Sequence, residues 1–244
     1  MIQVRSLTEH AEFAEAVALQ RQIWGFDDID LLPARLFVVA DKIGGFCLGA
    51  YDGDRMVGFC LALPGVRQGG QSYLHSHMMG VLPDYRNRGV GRQLKLAQRE
   101  TALAEGVRII EWTFDPLEIK NAYLNIERLG AVVERYVLNQ YGITSSQLGA
   151  GLPTDRCVAE WHLDSRRVRG LLRGEPIERP PVAARIEVPG NISLLRNGDP
   201  AQARRIQASV SDQFVDLLGR GLAAVGLERN GDSAAYLLAK WPCE

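Results

Sequence analysis

The stretch LHSHMMGVLPDYRNRGVGRQLKLAQRE, residues 74–100, constrains this chain more than any other. It runs from an apolar, strand-like segment with two histidines, through Arg86-Asn87-Arg88-Gly89-Val90-Gly91-Arg92, into an amphipathic pattern. Val90, Leu94, Ala97, Thr101 and Ala104 recur at steps of four and three, the period of one helix face, and Gly106 closes the run. A strand, an Arg/Gly turn and a helix start in that order bring together the unpaired N–H groups of a first helical turn and the positive end of the helix dipole. Glycines let a ligand approach that backbone, so the point suits a diphosphate, with Arg86, Arg88 and Arg92 adding charge.

Spacing narrows the choice of diphosphate. GxxxxGK[ST] is absent, and GxGxxG fails because Leu94 occupies the third small position. What remains is RxxGxG, on Arg86, Gly89 and Gly91, after a strand ending in Val81-Leu82-Pro83.

The flanking segments alternate between strand and helix patterns. IQVRSL (2–7) reads as a strand and HAEFAEAVALQRQIW (10–24) as an amphipathic helix, with a second short helix around PARLFVVADKIG. GFCLGAY and MVGFCLAL flank Asp52-Gly53, a hairpin turn, and SYLHSHMMGVL (72–82) is the next strand. VRIIEWTF (107–114) is a strand stopped by Asp115-Pro116; LEIKNAYLNIERLG is a helix closed by Gly130; AVVERYVLNQYG and RCVAEWHL (156–163) are strands. From about 165, SRRVRGLLRGEPIERPPVAAR has little periodicity and reads as a linker or surface-wrapping segment. ARIEV, a helix from about Pro200 to Leu218, and a hairpin of LAAVGLE and SAAYLLAKW around Asn230-Gly231 follow. This order loosely echoes residues 2–62, so the tail reads as a truncated copy of the first half. The expected division is 1–165 and 166–244.

Composition excludes several function classes. With 244 residues, 46% hydrophobic, the chain buries a substantial core. A net charge of −1 asks for neither nucleic acid nor an anionic membrane, and the cluster Arg166, Arg167, Arg169 and Arg173, with no interleaved aromatics, reads as a solvated face. No signal-peptide pattern and no apolar run of membrane-spanning length is visible, so the cytoplasm is the expected compartment. Cys47, Cys60, Cys157 and Cys243 form no CxxC pair and are expected as free thiols, the first three as small buried hydrophobes.

In its context VLPDYRNRGVGRQL, with a hairpin before it and strand, helix and strand after it, the RxxGxG pattern resembles the acyl-CoA loop of the GNAT superfamily of acyl-CoA-dependent N-acyltransferases, over roughly residues 1–165. The resemblance implies a mixed, mostly antiparallel central sheet flanked by helices, α/β (α+β) in class, with a C-terminal strand-helix-hairpin extension. It implies acyl-CoA, acetyl-CoA or another, lying where the fourth and fifth strands part. Its diphosphate would sit on Arg86, Asn87, Arg88, Gly89, Val90, Gly91 and Arg92, and its pantetheine on the strand edge near Met79 and Val81, with Asn121 hydrogen-bonding the arm. A backbone N–H of that strand would stabilise the oxyanion.

Family members often carry a glutamate base where His77 stands here. His75 lies two residues away on the same side of the strand, and an imidazole suits a base working near neutrality, so His77 is the first choice and His75 the second. The alternative is two packed strand histidines. A metal needs a third ligand, and His10 and His162 lie in unrelated elements, so no metal is expected. Relatives place an acid tyrosine where this chain has Ile126; Tyr123, one helical turn earlier, takes that role, or the thiolate leaves without a protein donor. Arg156 is set to take a substrate carboxylate, the alternative being a structural pair with Asp155.

The implied activity is N-acyl transfer, acetyl or succinyl, from CoA to the amine of a small molecule. The stretch 74–142, with WTFDP, KNAYLNIERLGA and the later GLPTDR, is similar to a GNAT branch that includes enzymes succinylating amino acids, which makes an amino acid one such acceptor. A non-catalytic acyl-CoA-binding sensor competes, kept open by Ile126, and a hydrolase or O-acyltransferase is a third reading. The tail from about 166 either completes the acceptor side or mediates a homodimer; the sequence leaves both open.

Overall fold

The computed structural model describes residues 1–142, 151–176 and 178–242. The chain divides into two compact units, the first holding Met1–Glu111 and the second beginning at Trp112. The expected boundary near 165 falls inside the second unit.

In the first unit β1 (Ile2–Ser6), α1 (His10–Trp24), α2 (Ala34–Lys42), β2 (Phe46–Asp52), β3 (Arg55–Val66), β4 (Ser72–Val81) and α3 (Val90–Ala104) follow in order, and β5 (Ile109–Phe114) starts there. The strands lie in sequence order, antiparallel up to β4. β5 runs parallel to β4, paired at Leu74–Ile110 and His75–Glu111. The β2–β3 turn is Gly53-Asp54, one residue later than expected, because Asp52 still pairs with Arg55.

Local chemistry explains the helix ends. Glu12 accepts from the backbone N–H groups of Thr8 and Glu9 at 2.8 and 3.0 Å, satisfying donors at the α1 start, and Gly25 ends the helix at φ 66°. α1 and α2 bury an aromatic cluster on one sheet face. Phe37 lies 6.2 Å from Phe13 and 6.0 Å from Phe59, and Trp24 meets Phe59 edge-on at 6.0 Å. Phe37 and Phe59 are fully buried, each contributing roughly 2–3 kcal/mol by removal of apolar surface.

α3 covers the opposite face, but with a different stripe from the one the sequence suggests. Its buried residues are Val90, Leu94, Lys95, Gln98 and Ala102, while Ala97 and Thr101 are half-buried and Ala104 is exposed. The stripe turns polar in the middle because Ser76 of β4 meets it there: Lys95 Nζ donates to Ser76 Oγ at 2.8 Å, and Ser76 Oγ donates to Gln98 Oε1 at 3.1 Å.

The second unit holds α4 (Ile119–Ala122), β6 (Val132–Val137), β7 (Arg156–His162), α5 (Arg166–Leu172), β8 (Ala184–Pro189), α6 (Ile192–Gly198), α7 (Pro200–Gly219), β9 (Leu222–Asn230) and β10 (Ser233–Lys240). Its strands lie in the order β7-β6-β9-β10-β8, and its described pairings are antiparallel. Phe214 of α7 anchors the core between Tyr136 and Tyr236, each ring 5.0 Å away.

Three expectations change here. The segment from 165 is not a linker: Ser165 caps α5 by accepting from Val168 N–H, and Arg167 is buried, donating to Gly130 O at 3.0 Å and Val225 O at 2.8 Å. The arginine cluster is therefore no uniform solvated face. The tail is not a copy of the first half in topology, because β8 pairs with β10, whereas β1 pairs with β2. The helix expected over 117–130 is α-helical only over Ile119–Ala122 and then winds as a π-helix over Tyr123–Arg128, with Leu129 N–H bonding Leu124 O. Cys47, Cys60 and Cys157 are free and buried as expected, and Cys243 lies outside the described residues. No described helix is long and apolar enough to cross a membrane.

Candidate active site

β4 carries an extra residue. Leu61 of β3 pairs with Met78 and Ala62 with Ser76, which leaves His77 as the bulged residue. The bulge reverses which residues face α3. Before it, Ser76 meets Lys95 and Gln98; after it, Val81 Cγ2 lies beside Leu94, and Met79 Cε is 3.6 Å from where a Cβ on Gly91 would stand. Gly80 then faces α1, where a Cβ would stand 2.7 Å from Trp24, so only glycine fits. A single inserted residue thus sends Met79 and Val81 toward the α3 start and leaves the two histidines on the other face.

The histidines are neighbours, with ring centroids 5.8 Å apart. Burial and the adjacent His75 hold the His77 imidazole below its ordinary pKa, which favours the neutral, proton-accepting ring at neutrality. His75 Nδ1 stands 3.5 Å from Glu111 Oε1, and Arg67 donates to Glu111 Oε2 at 3.0 Å. Sequence reasoning missed Glu111 and Arg67; the available signal was a lone carboxylate within the apolar run VRIIEWTF.

The Arg/Gly loop ends at a helix start that has no side-chain cap. Gly89, at φ 80°, is the N-cap, and the first α3 hydrogen bond runs from Gln93 N–H to Gly89 O at 3.0 Å. The N–H groups of Val90, Gly91 and Arg92 are the ones a helix start leaves free for an anion. Nothing stands within 4 Å of a Cβ on Gly89, and Asn87, at φ 61°, also takes a left-handed conformation. Arg92 Nε is buried without a partner. An uncapped turn, an open glycine surface and an unpaired guanidinium nitrogen fit a diphosphate.

The other loop residues divide by role. Arg86, an exposed residue, reaches back to donate to Val81 O at 3.2 Å and Ile23 O at 3.3 Å, so it fastens the loop to β4 and α1. Arg88 lies over the Tyr85 ring at 5.2 Å. Val90 buries its side chain in the core, leaving only its N–H to a ligand.

The remaining expected site residues belong to the second unit. Tyr123 opens the π-helical turn beneath the Arg229 guanidinium, 5.8 Å from its ring. Ile126 is fully buried and Asn121 exposed. Arg156 lies 3.7 Å from Asp115 and over the Tyr141 ring at 5.8 Å. It does not pair with Asp155, which accepts from Asn139 N–H at 2.8 Å and Ser211 Oγ at 2.6 Å.

Glu134, Glu160 and His162 bring ligand atoms within 4.8 Å of one another. Arg135 Nε already donates to Glu160 Oε1 at 2.9 Å, so a cation of the protein's own sits on this cluster, and it includes neither His75 nor His77.

The bulged fourth strand leads through a glycine turn into an uncapped helix start, an arrangement suited to an anionic group. Residues 11–123 match the model of the acetyltransferase (GNAT) family. No curated protein matches the chain. Among solved structures, the ribosomal-protein-S18-alanine N-acetyltransferase from Escherichia coli is 16% identical at a TM-score of 0.53, covering 68% of this chain and 96% of that one. The Salmonella typhimurium protein yncA, with its cofactor acetyl-CoA, is 15% identical at 0.54, covering 68% and 95%. A GNAT-family acetyltransferase from Streptococcus pneumoniae is 19% identical at 0.51, covering 66% and 98%. At these identities the likeness is one of fold.

Proposed function

We propose that this protein transfers an acyl group, acetyl or succinyl, from CoA to the amino group of a small molecule, an amino acid being the first acceptor to try. The observation that carries the reading is the pairing of an uncapped, glycine-lined α3 start with two neighbouring imidazoles on the bulged strand, His77 held below its ordinary pKa by burial. The first holds the diphosphate; the second takes the proton from the attacking amine. His77, held neutral by burial, is the first acceptor of that proton and His75 the second. Backbone N–H groups of β4 near Met79 and Val81 orient the pantetheine and polarise the thioester carbonyl. Tyr123 is the group that returns a proton to the leaving thiolate, and Arg156 binds an acceptor carboxylate. The E. coli protein is a ribosomal-protein-S18-alanine N-acetyltransferase, so a peptide amine is the natural control acceptor.

The burial of Ile126 where the family often has its acid favours one second reading, an acyl-CoA-binding sensor. Thiol release from acetyl-CoA and succinyl-CoA, each offered with L- and D-amino acids, simple amines and an alanine-initiated peptide, separates them. Release that depends on an acceptor and yields an amide supports transfer. Tight CoA binding with no release from any acceptor favours the sensor, and release without acceptor identifies a hydrolase.

A further inference from the structure

Four charged or titratable side chains of the first unit follow one another along one face of β4. Arg67, which opens the turn between β3 and β4, holds Glu111 Oε2; Glu111 Oε1 stands beside His75 Nδ1; and the His75 ring neighbours His77. The Glu111 side chain is only 9% exposed.

The strand register sets this order. Glu111 lies directly opposite His75 in the parallel β4–β5 pairing, and side chains opposite one another share a face. A carboxylate so far from water is costly unless it is paired, and Arg67 supplies the positive charge that keeps it ionised and fixes its orientation. Its other oxygen then faces an imidazole nitrogen. A carboxylate at Nδ1 keeps the proton of a neutral ring on Nδ1 and leaves Nε2 as the lone-pair acceptor.

We propose that Glu111 is a positioning residue for acyl transfer: locked by Arg67, it fixes the orientation of the His75 ring with its proton on Nδ1 and leaves Nε2 as the accepting atom. The inference depends on the acyl-transfer reading above. In that step the amine nitrogen bonds to the thioester carbonyl carbon and the C–S bond breaks. The amine proton passes to the imidazole pair and a proton returns to the CoA sulfur, so amine and thioester become amide and thiol with no further reactant. Burial weakens the hold of His77 on a proton, and the only carboxylate described against the pair is at His75. The other groups facing His75 are His77 and Tyr73 on its own strand, with Tyr73 under the Arg67 guanidinium at 5.4 Å; Leu63 is its partner on β3.

The test is nitrogen-15 NMR of the imidazoles in the full chain, wild type and Glu111→Gln, alongside acceptor-dependent thiol release across pH. In the wild type, neutral His75 should be protonated on Nδ1. In Glu111→Gln the Nδ1-protonated form should lose its dominance, because the carboxylate that selects it is gone. kcat should drop roughly tenfold or more, with the KM for acyl-CoA within about twofold of wild type and partial recovery in Glu111→Asp. A wild-type His75 protonated on Nε2, or a tautomer balance unmoved by the substitution, overturns the proposal. The wild-type spectrum alone identifies the protonated nitrogen, even if the variant does not fold. Absence of thiol release from every acceptor would instead sink the acyl-transfer reading, while the spectra still decide whether Glu111 sets the state of His75.

Discussion

Lys95 Nζ donates to Ser76 Oγ at 2.8 Å with both side chains buried, so α3 is tied to β4 by an amine removed from water. Burial pushes the Lys95 pKa down to about 7, a fall opposed by the neighbouring Cys60. The tie sits one residue before the bulge, and it joins the helix that receives the diphosphate to the strand that carries the histidines.

Lys95 makes stability depend on pH with a definite sign. Its folded pKa is below its unfolded one, so between about pH 7 and 10.5 the unfolded chain binds more protons and stability rises with pH. Cys47 and Cys60, raised to about 12 by burial, act the opposite way above pH 9. The clean window is therefore pH 7 to 9. Urea unfolding should show stability rising there by on the order of 2 kcal/mol in the wild type, with a flatter slope in Lys95→Met. Equal slopes would mean that Lys95 is not the titrating group.

His77→Ala should lower acceptor-dependent turnover by roughly two to four orders of magnitude while CoA binding persists. Because His77 lies below its usual pKa, the wild-type acid limb should fall below about pH 6.5. Wild-type turnover with an unchanged profile in the variant would remove His77 from the chemistry.

Gly91→Leu separates ligand approach from folding. The nearest atom to a Cβ there is Met79 Cε at 3.6 Å, an ordinary contact, and Leu is the better helix former, so unfolding free energy should change by less than about 1 kcal/mol. The side chain would cover the N–H groups at the α3 start. Calorimetry should show CoA affinity reduced at least about tenfold. Unchanged affinity would refute the loop assignment. Gly89 is a less clean target, since its φ of 80° makes any side chain cost roughly 1–2 kcal/mol.

The loop and helix were legible in the sequence because glycine, arginine and a 3.6-residue period are local signals. The α1 bounds, His10–Trp24, agree with the periodic segment, and both hairpins form, each turning one residue later than the glycine signal suggests. Long-range partners were not legible. Lys95 and Gln98 break the apolar stripe of α3 only because Ser76 lies across from them, and Glu111 acquires meaning only through its register with His75. The π-helical winding after Ala122 has no signature in a pattern of one helical period, and it breaks the α-turn spacing between Tyr123 and Ile126.

Arg167 illustrates the same limit in the second unit and yields the last prediction. In sequence it is one of four arginines in a segment without periodicity; in the fold its guanidinium donates to the carbonyls of Gly130 and Val225 and lies over the Trp241 ring at 5.6 Å. Gly130 ends the π-helical segment and Val225 belongs to β9, so one side chain ties α5 to two elements distant in sequence. Arg167→Ala would strand two buried carbonyls and leave a void beside Trp241, an expected loss of about 2–4 kcal/mol. Lysine should recover little, because a single ammonium does not reproduce the fork that reaches both oxygens. Urea denaturation with Trp fluorescence measures the effect. A loss below about 1 kcal/mol in Arg167→Ala would return this segment to the role of a surface wrapping.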